Sequence, residues 1–369
     1  MPYAYPGVYI EEDLSPGLNI SSSETAVPVF VFSGGFPIDS SELLQIDSWL
    51  DFLALLVDGV TDFEVFEADA LYNSVKYYFI NGGGRCYVSD YNSLGVNLLN
   101  NPGLITLVVE AGISRMEAND FFFGLLDDIR AAGCNVFALC DSLGGREELL
   151  TGSPVNDMAH CTSSDHAAVY GPWFTNSKGH YVPPSAIAAA LIARTDNTRG
   201  VWKAPANIAV AGDLTLTLHF SKEVHGLYNV HIKPLNLFRE FTGKGTLLWG
   251  ARTLSLDTDR WRYVSVRRLF NMVEQDIEKA IRAMMFEPNN QPTWEKVRVA
   301  IENYLFPLWQ NGAFQGAKPE EAFKVQVGEG QTMSKADIYA GKLIVEIGIN
   351  AVRPAEFIIL RFTQNMESR

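Results

Sequence analysis

The apolar segment near the end of this 369-residue sequence constrains its fold most strongly. Residues 356–362 (EFIILRF) place apolar side chains on both faces of an extended strand. Such a strand at an exposed sheet edge would promote aggregation. The segment must therefore be a central strand of its own sheet or be covered by something else.

A second short strand is predicted at the beginning of the sequence. Residues 6–12 alternate, with Val8 and Ile10 on one face and Tyr9 and Glu11 on the other. Both terminal strands could pair within one sheet of their own subunit, or they could add to the sheets of neighbouring copies. Five or six main-chain hydrogen bonds, at about 0.5–1.5 kcal/mol net each, would stabilise each intersubunit contact by several kcal/mol.

Strands and helices alternate between residues 26 and 200. The predicted strands are 27–32, 85–89, 104–110 and 135–141. The predicted helices are 41–57, 69–80, 119–132 and 185–194. This alternation predicts an α/β layer with a mainly parallel sheet.

The second half of the sequence contains two strong helix patterns and one alternating strand. The helices are predicted over 264–286, with a wide apolar stripe, and over 293–305, and the strand over 343–352. A domain boundary is predicted within residues 196–245, where Pro, Gly and short apolar runs mix.

Composition excludes several classes of function. The sequence has 29 basic and 43 acidic residues, so a protein that binds nucleic acid through phosphate contacts is not expected. No apolar run approaches the ~20 residues of a membrane helix, and no signal peptide is visible, which predicts a protein made in the cytoplasm without membrane insertion. The cysteines lack paired spacing and are predicted to be buried thiols: Cys86, Cys134, Cys140 and Cys161.

Two segments could carry chemistry, but neither favours an enzyme. The glycines at 82–84 follow a helix and precede a strand, which is the order of a helix C-terminus and the reverse of a phosphate loop. Glu110 and Asp141 end two predicted strands, where α/β sheets usually bind ligands. An α/β enzyme that binds a small anionic ligand near this pair is the alternative function.

The histidines do not form a recognisable metal motif. His160, Cys161 and His166 cluster in one loop region, and three further histidines recur every six residues from His219. Zinc sites favour tighter paired spacings. No catalytic residue, metal or cofactor is therefore predicted.

Nine segments together resemble one protein family. They are 6–12 (PGVYIEE), 81–88 (NGGGRCYV), 182–185 (VPPS), 193–196 (ARTD), 199–207 (RGVWKAPAN), 249–254 (WGARTL), 261–270 (WRYVSVRRLF), 286–289 (FEPN) and 352–357 (VRPAEF). In this order they resemble the contractile tail sheath proteins of phages, R-type pyocins and extracellular contractile injection systems.

The resemblance implies an inner α+β domain formed by both chain ends, an inserted outer α/β domain and two terminal strand arms. The corresponding parts are an N-terminal arm with the first inner strand (1–25), the outer α/β domain (26–200), the inner domain (201–353) and the C-terminal arm (354–369). It implies that the arms exchange strands with adjacent subunits. The N-terminal arm residues would be Val8, Tyr9, Ile10 and Glu11. The C-terminal arm residues would be Glu356, Phe357, Ile358, Ile359, Leu360 and Phe362.

The function implied by the resemblance is that of a structural subunit. Copies would stack as rings around an inner tube in an extended, metastable state and contract to drive the tube through a target envelope. The implied partners are further copies, the tube protein, baseplate and terminal cap proteins, and sheath paralogues. Assembly would take place in the bacterial cytoplasm, and the product would be a virion tail or a released tail-like particle.

The inner domain would have to grip the tube weakly enough to release it, and exposed ion pairs worth about 0–1 kcal/mol each suit that role. Residues 151–369 hold 24 basic and 21 acidic residues, against 5 and 22 in residues 1–150. The candidate tube-facing residues are Lys296, Arg298, Lys318 and Lys324, with Arg267, Arg268, Lys279 and Arg282 as a second set.

Overall fold

A computed structural model describes residues 18, 20–33, 42–57, 64–111, 124, 126–143, 150–357 and 359. The chain divides into two compact units. The large unit comprises Ser23–Gln275, Gly312–Gln315 and the chain from Ala351, and the small unit holds Asp276–Asn311 and Gly316–Asn350. The predicted boundary at residue 200 is not where the compact units divide.

A sheet of nine described strands forms the centre of the large unit, beside a smaller sheet of three. The strands are β1 (Pro28–Phe32), β2 (Leu44–Ile46), β3 (Cys86–Asp90), β4 (Leu107–Val109), β5 (Phe137–Asp141), β6 (Ala167–Gly171), β7 (Phe174–Thr175), β8 (Tyr181–Val182), β9 (Ile208–Ala209), β10 (Thr215–Leu216), β11 (Leu235–Phe241) and β12 (Gly245–Leu248). The large sheet has the order β2-β3-β1-β4-β5-β6-β11-β12-β9. Its six central strands, from β3 to β11, pair in parallel, which confirms the predicted mainly parallel sheet.

Residues after 200 belong to the large unit because they complete this sheet. Strand β11 pairs in parallel with β6, and β12 and β9 continue the sheet in antiparallel fashion. A division at residue 200 would separate these strands from their hydrogen-bonding partners.

Both faces of the sheet are buried. Along β1, Phe30 and Phe32 belong to one apolar cluster, whereas Val29 and Val31 belong to another. Alternate side chains of a strand point to opposite faces, so each face packs against its own layer, as expected for parallel strands.

The helices of the large unit are, in chain order, α1 (Trp49–Val57), α2 (Glu64–Glu67), α3 (Ala70–Ile80), α4 (Leu94–Asn100), α5 (Pro154–Asp157), α6 (Pro184–Arg199), α7 (Lys222–Val230) and the greater part of α8 (Val264–Ile281). Residues 126–131 are also helical. The predicted helix over 41–57 is wrong in its first part, where Leu44–Ile46 is a strand. The antiparallel pairing of Leu44–Ile46 with β3 outweighs the local helical pattern.

The small unit contains the end of α8, a 3₁₀ turn (Arg282–Met284), α9 (Gln291–Gln310), α10 (Pro319–Ala322), α11 (Lys335–Tyr339) and the strands β13 (Phe323–Val327) and β14 (Val345–Ile349). Trp294, Val327 and Met333 form its apolar cluster. Strands β13 and β14 pair in antiparallel register, with Val325 opposite Ile347.

Candidate functional site

The described part of the C-terminal arm carries exposed apolar side chains. Phe357 is 69% exposed and Ile359 is 77% exposed. The predicted arm residues that lie outside the described residues are Val8, Tyr9, Ile10, Glu11, Ile358, Leu360 and Phe362.

Glu356 is held by a cluster of polar side chains in the large unit, which we call the C-terminal anchor. Arg252 donates from Nε to Glu356 Oε1 (2.9 Å) and from Nη2 to Oε2 (2.7 Å). The Tyr263 hydroxyl donates to Oε2 (3.0 Å), and Asn229 Nδ2 donates to Oε1 (3.1 Å). The two hydrogen bonds from one guanidinium fix the orientation of the carboxylate as well as its position.

Electrostatics favours the ionised form of Glu356. Burial opposes ionisation, but hydrogen bonds from Arg252 and Asn229 and the charge of Arg252 outweigh it and lower the pKa of Glu356 below its ordinary value. The carboxylate of Glu356 is therefore bound within its own chain, and the role of this residue in the intersubunit arm stays a prediction.

The C-terminal anchor joins three of the segments that carry the family resemblance. Arg252 lies in 249–254, Tyr263 in 261–270 and Glu356 in 352–357. Sequence reasoning identified the three segments but not their meeting point. Each segment contains polar or charged side chains, but their spacing in the sequence does not show which of them meet.

A second cluster, the N-terminal anchor, holds the chain where residues 23–25 enter the large unit. Arg268 donates from Nη2 to Asp196 Oδ2 (2.6 Å) and to the Thr25 carbonyl oxygen (2.8 Å). The Thr25 hydroxyl donates to Asp196 Oδ2 (2.6 Å). Both charged side chains are only 3% exposed, so this ion pair is fully desolvated.

Two of the predicted tube-facing residues are corrected by these contacts. Arg268 is committed to the N-terminal anchor. Arg267 is also buried, where it donates to Asn271 and Glu274 and stacks 4.1 Å from the ring centroid of Trp261. Neither guanidinium is available to a partner, because the first turns of α8 are surrounded by other elements of the large unit.

The six other basic candidates all lie in the small unit. Arg282 pairs with Glu278 along α8, and Arg298 pairs with two glutamates of α9. Lys279, Lys318 and Lys324 are exposed, and no ion pair joins any of them to another described residue. Lys296 is half-buried.

The glycine run at 82–84 ends a helix, as predicted. Gly82 has φ +90° just after α3, and its amide donates to the Phe79 carbonyl (3.1 Å). A Cβ on Gly83 would lie 2.3 Å from the Tyr78 ring, so close packing also requires glycine. Strand β3 begins at Cys86, with no helix N-terminus facing the loop.

Glu110 and Asp141 meet at the end of the sheet, but they serve as acceptors for backbone amides. The Asp141 amide donates to Glu110 Oε2 (2.7 Å), and the Ser185 amide donates to Asp141 Oδ1 (2.7 Å). Both side chains are about 2% exposed. The pair joins β4 and β5 to the N-terminus of α6, which is a structural role.

The histidines have separate surroundings. Burial, followed by the charges of Arg267 and Arg130, lowers the pKa of His166 to about 4 although Asp165 is close. Within the described residues, no three His, Cys, Asp or Glu side chains are arranged to hold a metal ion. The four cysteines are buried and form no disulfide with one another.

The sheet of the small unit has an open edge in the described chain. Strand β14 pairs with β13 on one side, and no described strand lies on its other side. Val345, Ile347 and Ile349 are half-buried, whereas Glu346 and Gly348 are exposed. An isolated two-stranded sheet is only marginally stable, so a third strand would complete it.

Among the described residues, no helix combines the length and the apolar character needed to cross a bilayer.

Comparison with known proteins gives a consistent result. A family model for the phage tail sheath C-terminal domain matches residues 257–365. The chain is 25% identical over 191 residues to a tail sheath protein of Vibrio phage KVP40, which covers 51% of this chain and 27% of that protein. The matched part therefore spans about a quarter of the phage protein's length.

Two solved structures match almost the entire chain. One is the sheath complex of an extracellular contractile injection system, PVC, in the contracted state, with 44% identity, a TM-score of 0.86 and 100% coverage of both chains. The other is the baseplate of the anti-feeding prophage, AFP, in its contracted state, with 41% identity, a TM-score of 0.84, and 98% and 99% of the two chains covered.

Proposed function

Since this chain belongs to the family of contractile tail sheath proteins, we propose that it polymerises as rings around an inner tube and contracts to drive the tube through a target envelope. The observation that carries this proposal is the match at 44% identity, over the full length of both chains, to a chain of the PVC sheath complex. The family consists of structural proteins, which sets aside the alternative of an enzyme acting near Glu110 and Asp141. The free energy of contraction would be stored in subunit contacts when the sheath assembles.

The partners follow from the same relationship. We propose that the chain binds further copies of itself and, like the AFP relative, belongs to a particle with a baseplate. The inner tube, a terminal cap and sheath paralogues complete the proposed set. Assembly in the bacterial cytoplasm would precede release of the tail or tail-like particle.

Strand exchange would connect the copies. The arm sequence after Glu356 begins with four apolar residues, of which Phe357 and Ile359 are exposed, and Glu356 itself is bound to Arg252. The open edge of β14 in a neighbouring copy offers main-chain donors and acceptors to such a strand. Five bonds at about 0.5–1.5 kcal/mol each would hold subunits together by several kcal/mol while their domains turn.

The contact with the tube would use the exposed lysines of the small unit. Lys279, Lys318 and Lys324 can pair with acidic groups of the tube without breaking an ion pair to another described residue. Exposed pairs are worth about 0–1 kcal/mol each, which permits release during contraction.

Electron microscopy of the purified protein tests the function. We expect tubes or cogwheel rings from the full chain and none after removal of residues 357–369, a truncation that retains Glu356 in its anchor. Circular dichroism should show the same folded subunit in both. Tubes formed by the truncated chain would refute strand exchange, and a full chain that stays monomeric under all assembly conditions would refute the sheath function.

Charge reversal tests the tube contact separately. The double variant Lys318→Glu and Lys324→Glu should form sheath alone but co-sediment poorly with the tube protein. The matched control, Lys222→Glu and Lys244→Glu, changes two exposed lysines of the large unit and should leave co-sedimentation unchanged. Equal binding by both double variants would remove these lysines from the tube interface.

A further inference from the structure

Three exposed apolar side chains are grouped at the end of α7. Leu227 is 53% exposed, Val230 is 78% exposed and Ile232, just beyond the helix, is 61% exposed. Leu227 and Val230 are one turn apart and share a side of the helix. We call these three residues the α7 patch. Single exposed apolar residues are common on protein surfaces, but a group of three at one helix end is a candidate contact surface.

The α7 patch lies beside the C-terminal anchor. Asn229, within the patch sequence, donates its side-chain amide to Glu356 (3.1 Å), and Arg252 Nη1 donates to the Asn229 carbonyl oxygen (2.5 Å). Arg252 thus binds the end of α7 and the root of the arm at the same time. The position of the patch relative to the root is therefore fixed.

The anchor also fixes where the arm begins, and so how far its first residues reach. An extended chain spans at most about 3.3–3.6 Å per residue, so the path from Glu356 to Ile359 covers about 10 Å. The exposed apolar side chains begin at Phe357, directly after the anchored residue. A neighbour that pairs with this strand from its first residues must come within that distance of the anchor.

We propose that the α7 patch is a docking surface for the same copy of this chain that receives the C-terminal strand. This inference rests on the proposed sheath function. Because pairing that starts at Phe357 begins within about 10 Å of the fixed root, the receiving subunit is held against the surface around the root. The α7 patch is the apolar part of that surface, and it would be buried as the strand pairs. The flexible contact through the C-terminal strand and the rigid contact through the α7 patch would together set the angle between neighbouring copies.

The double variant Val230→Asp and Ile232→Asp tests this proposal in the full chain. Placing two carboxylates in a docked apolar surface should raise the protein concentration needed for tube formation about tenfold or more. The control double variant, Val96→Asp and Leu99→Asp, changes two exposed apolar residues of α4 in the same unit, 61% and 47% exposed. It should polymerise like wild type. Val230→Ile, which keeps the surface apolar, should also polymerise like wild type.

Each other outcome overturns the proposal in a recognisable way. Equal polymerisation of the two double variants would show that the α7 patch is not docked. A lower melting temperature of the unassembled Val230→Asp and Ile232→Asp subunit, with polymerisation unchanged, would show that its own chain covers the patch. If the double variant forms normal sheath tubes alone but does not assemble around the inner tube, the inner tube protein is the partner that binds the α7 patch. Failure of the wild-type chain to form tubes would instead refute the sheath function.

Discussion

Replacing Glu356 by glutamine tests the C-terminal anchor most directly, because it removes the charge and retains the size of the side chain. A hydrogen bond to a charged group contributes about 1.5–3 kcal/mol, roughly twice a neutral one. Arg252 donates two such bonds, at 2.9 and 2.7 Å, but the Glu356 side chain is 24% exposed and partly screened. We therefore expect the free energy of unfolding to fall by about 1–2 kcal/mol.

Urea denaturation of the subunit, below the concentration at which it polymerises, measures this change. Glu320→Gln, at an exposed position of α10, is the matched control and should be neutral. In a double-mutant cycle with Arg252→Gln, the coupling energy should account for most of the loss at Glu356. Strictly additive single variants would refute the anchor.

The pH dependence of the same difference gives a second check. The pKa of Glu356 is lowered in the folded state, so the anchor stabilises the protein above the ordinary carboxyl pKa. This stabilisation is lost as the pH falls through the lowered pKa. The gap between wild type and Glu356→Gln should therefore close at acidic pH, and a gap that stays constant would contradict the assigned charge.

Three further changes test other parts of the structure. Asp196→Asn leaves a buried arginine without its counter-charge and should lower the free energy of unfolding by about 3–5 kcal/mol in urea; a neutral result would contradict the burial of the pair. Gly83→Ala drives a methyl group into the Tyr78 ring and should cost about 1–3 kcal/mol in thermal melts, whereas Gly84→Ala, with open space around it, should not. The pKa of His166 is lowered to about 4 in the folded state. As the pH falls, the unfolded chain therefore binds a proton at this histidine before the folded chain does. Stability should therefore fall between about pH 6.5 and 4 by at most ~1.4 kcal/mol per unit, and His166→Gln should flatten that part of the curve.

The features predicted correctly from the sequence are those encoded within a few neighbouring residues. The apolar run that contains β1 and the glycines after α3 each determine their own conformation, and the alternation of strands and helices then determines a parallel sheet. The strand Leu44–Ile46 was not predicted, because its conformation depends on pairing with β3, some 40 residues away. Strand β11 likewise depends on a distant partner, β6, so the continuation of the sheet beyond residue 200 could not be predicted from local patterns.

The two anchors could not be predicted because their partners are distant in the sequence. Arg268 and Asp196 are 72 residues apart, and Arg252 and Glu356 are 104 apart. The periodicity of α8 identifies one apolar stripe and assigns the other face to solvent. Residues 264–269 are buried all round, however, so Arg267 was predicted to be exposed when it is enclosed.

The chemistry of the two anchors explains why an arginine holds the chain at Thr25 and another holds it at Glu356. Apolar contacts at an arm root would be non-directional, and they would leave the arm free to swing. A bidentate ion pair between guanidinium and carboxylate contributes modestly to the free energy of unfolding, but it fixes the relative orientation of the two groups. Removing one partner alone is costly because it leaves a buried charge unpaired. A lysine at this position keeps the positive charge but cannot form the bidentate pair of hydrogen bonds. Arg252→Lys should therefore leave the unassembled subunit folded, with a small change in melting temperature, and yield tubes of irregular diameter by electron microscopy. Regular tubes from Arg252→Lys would mean that charge alone positions the arm and that the bidentate geometry is dispensable.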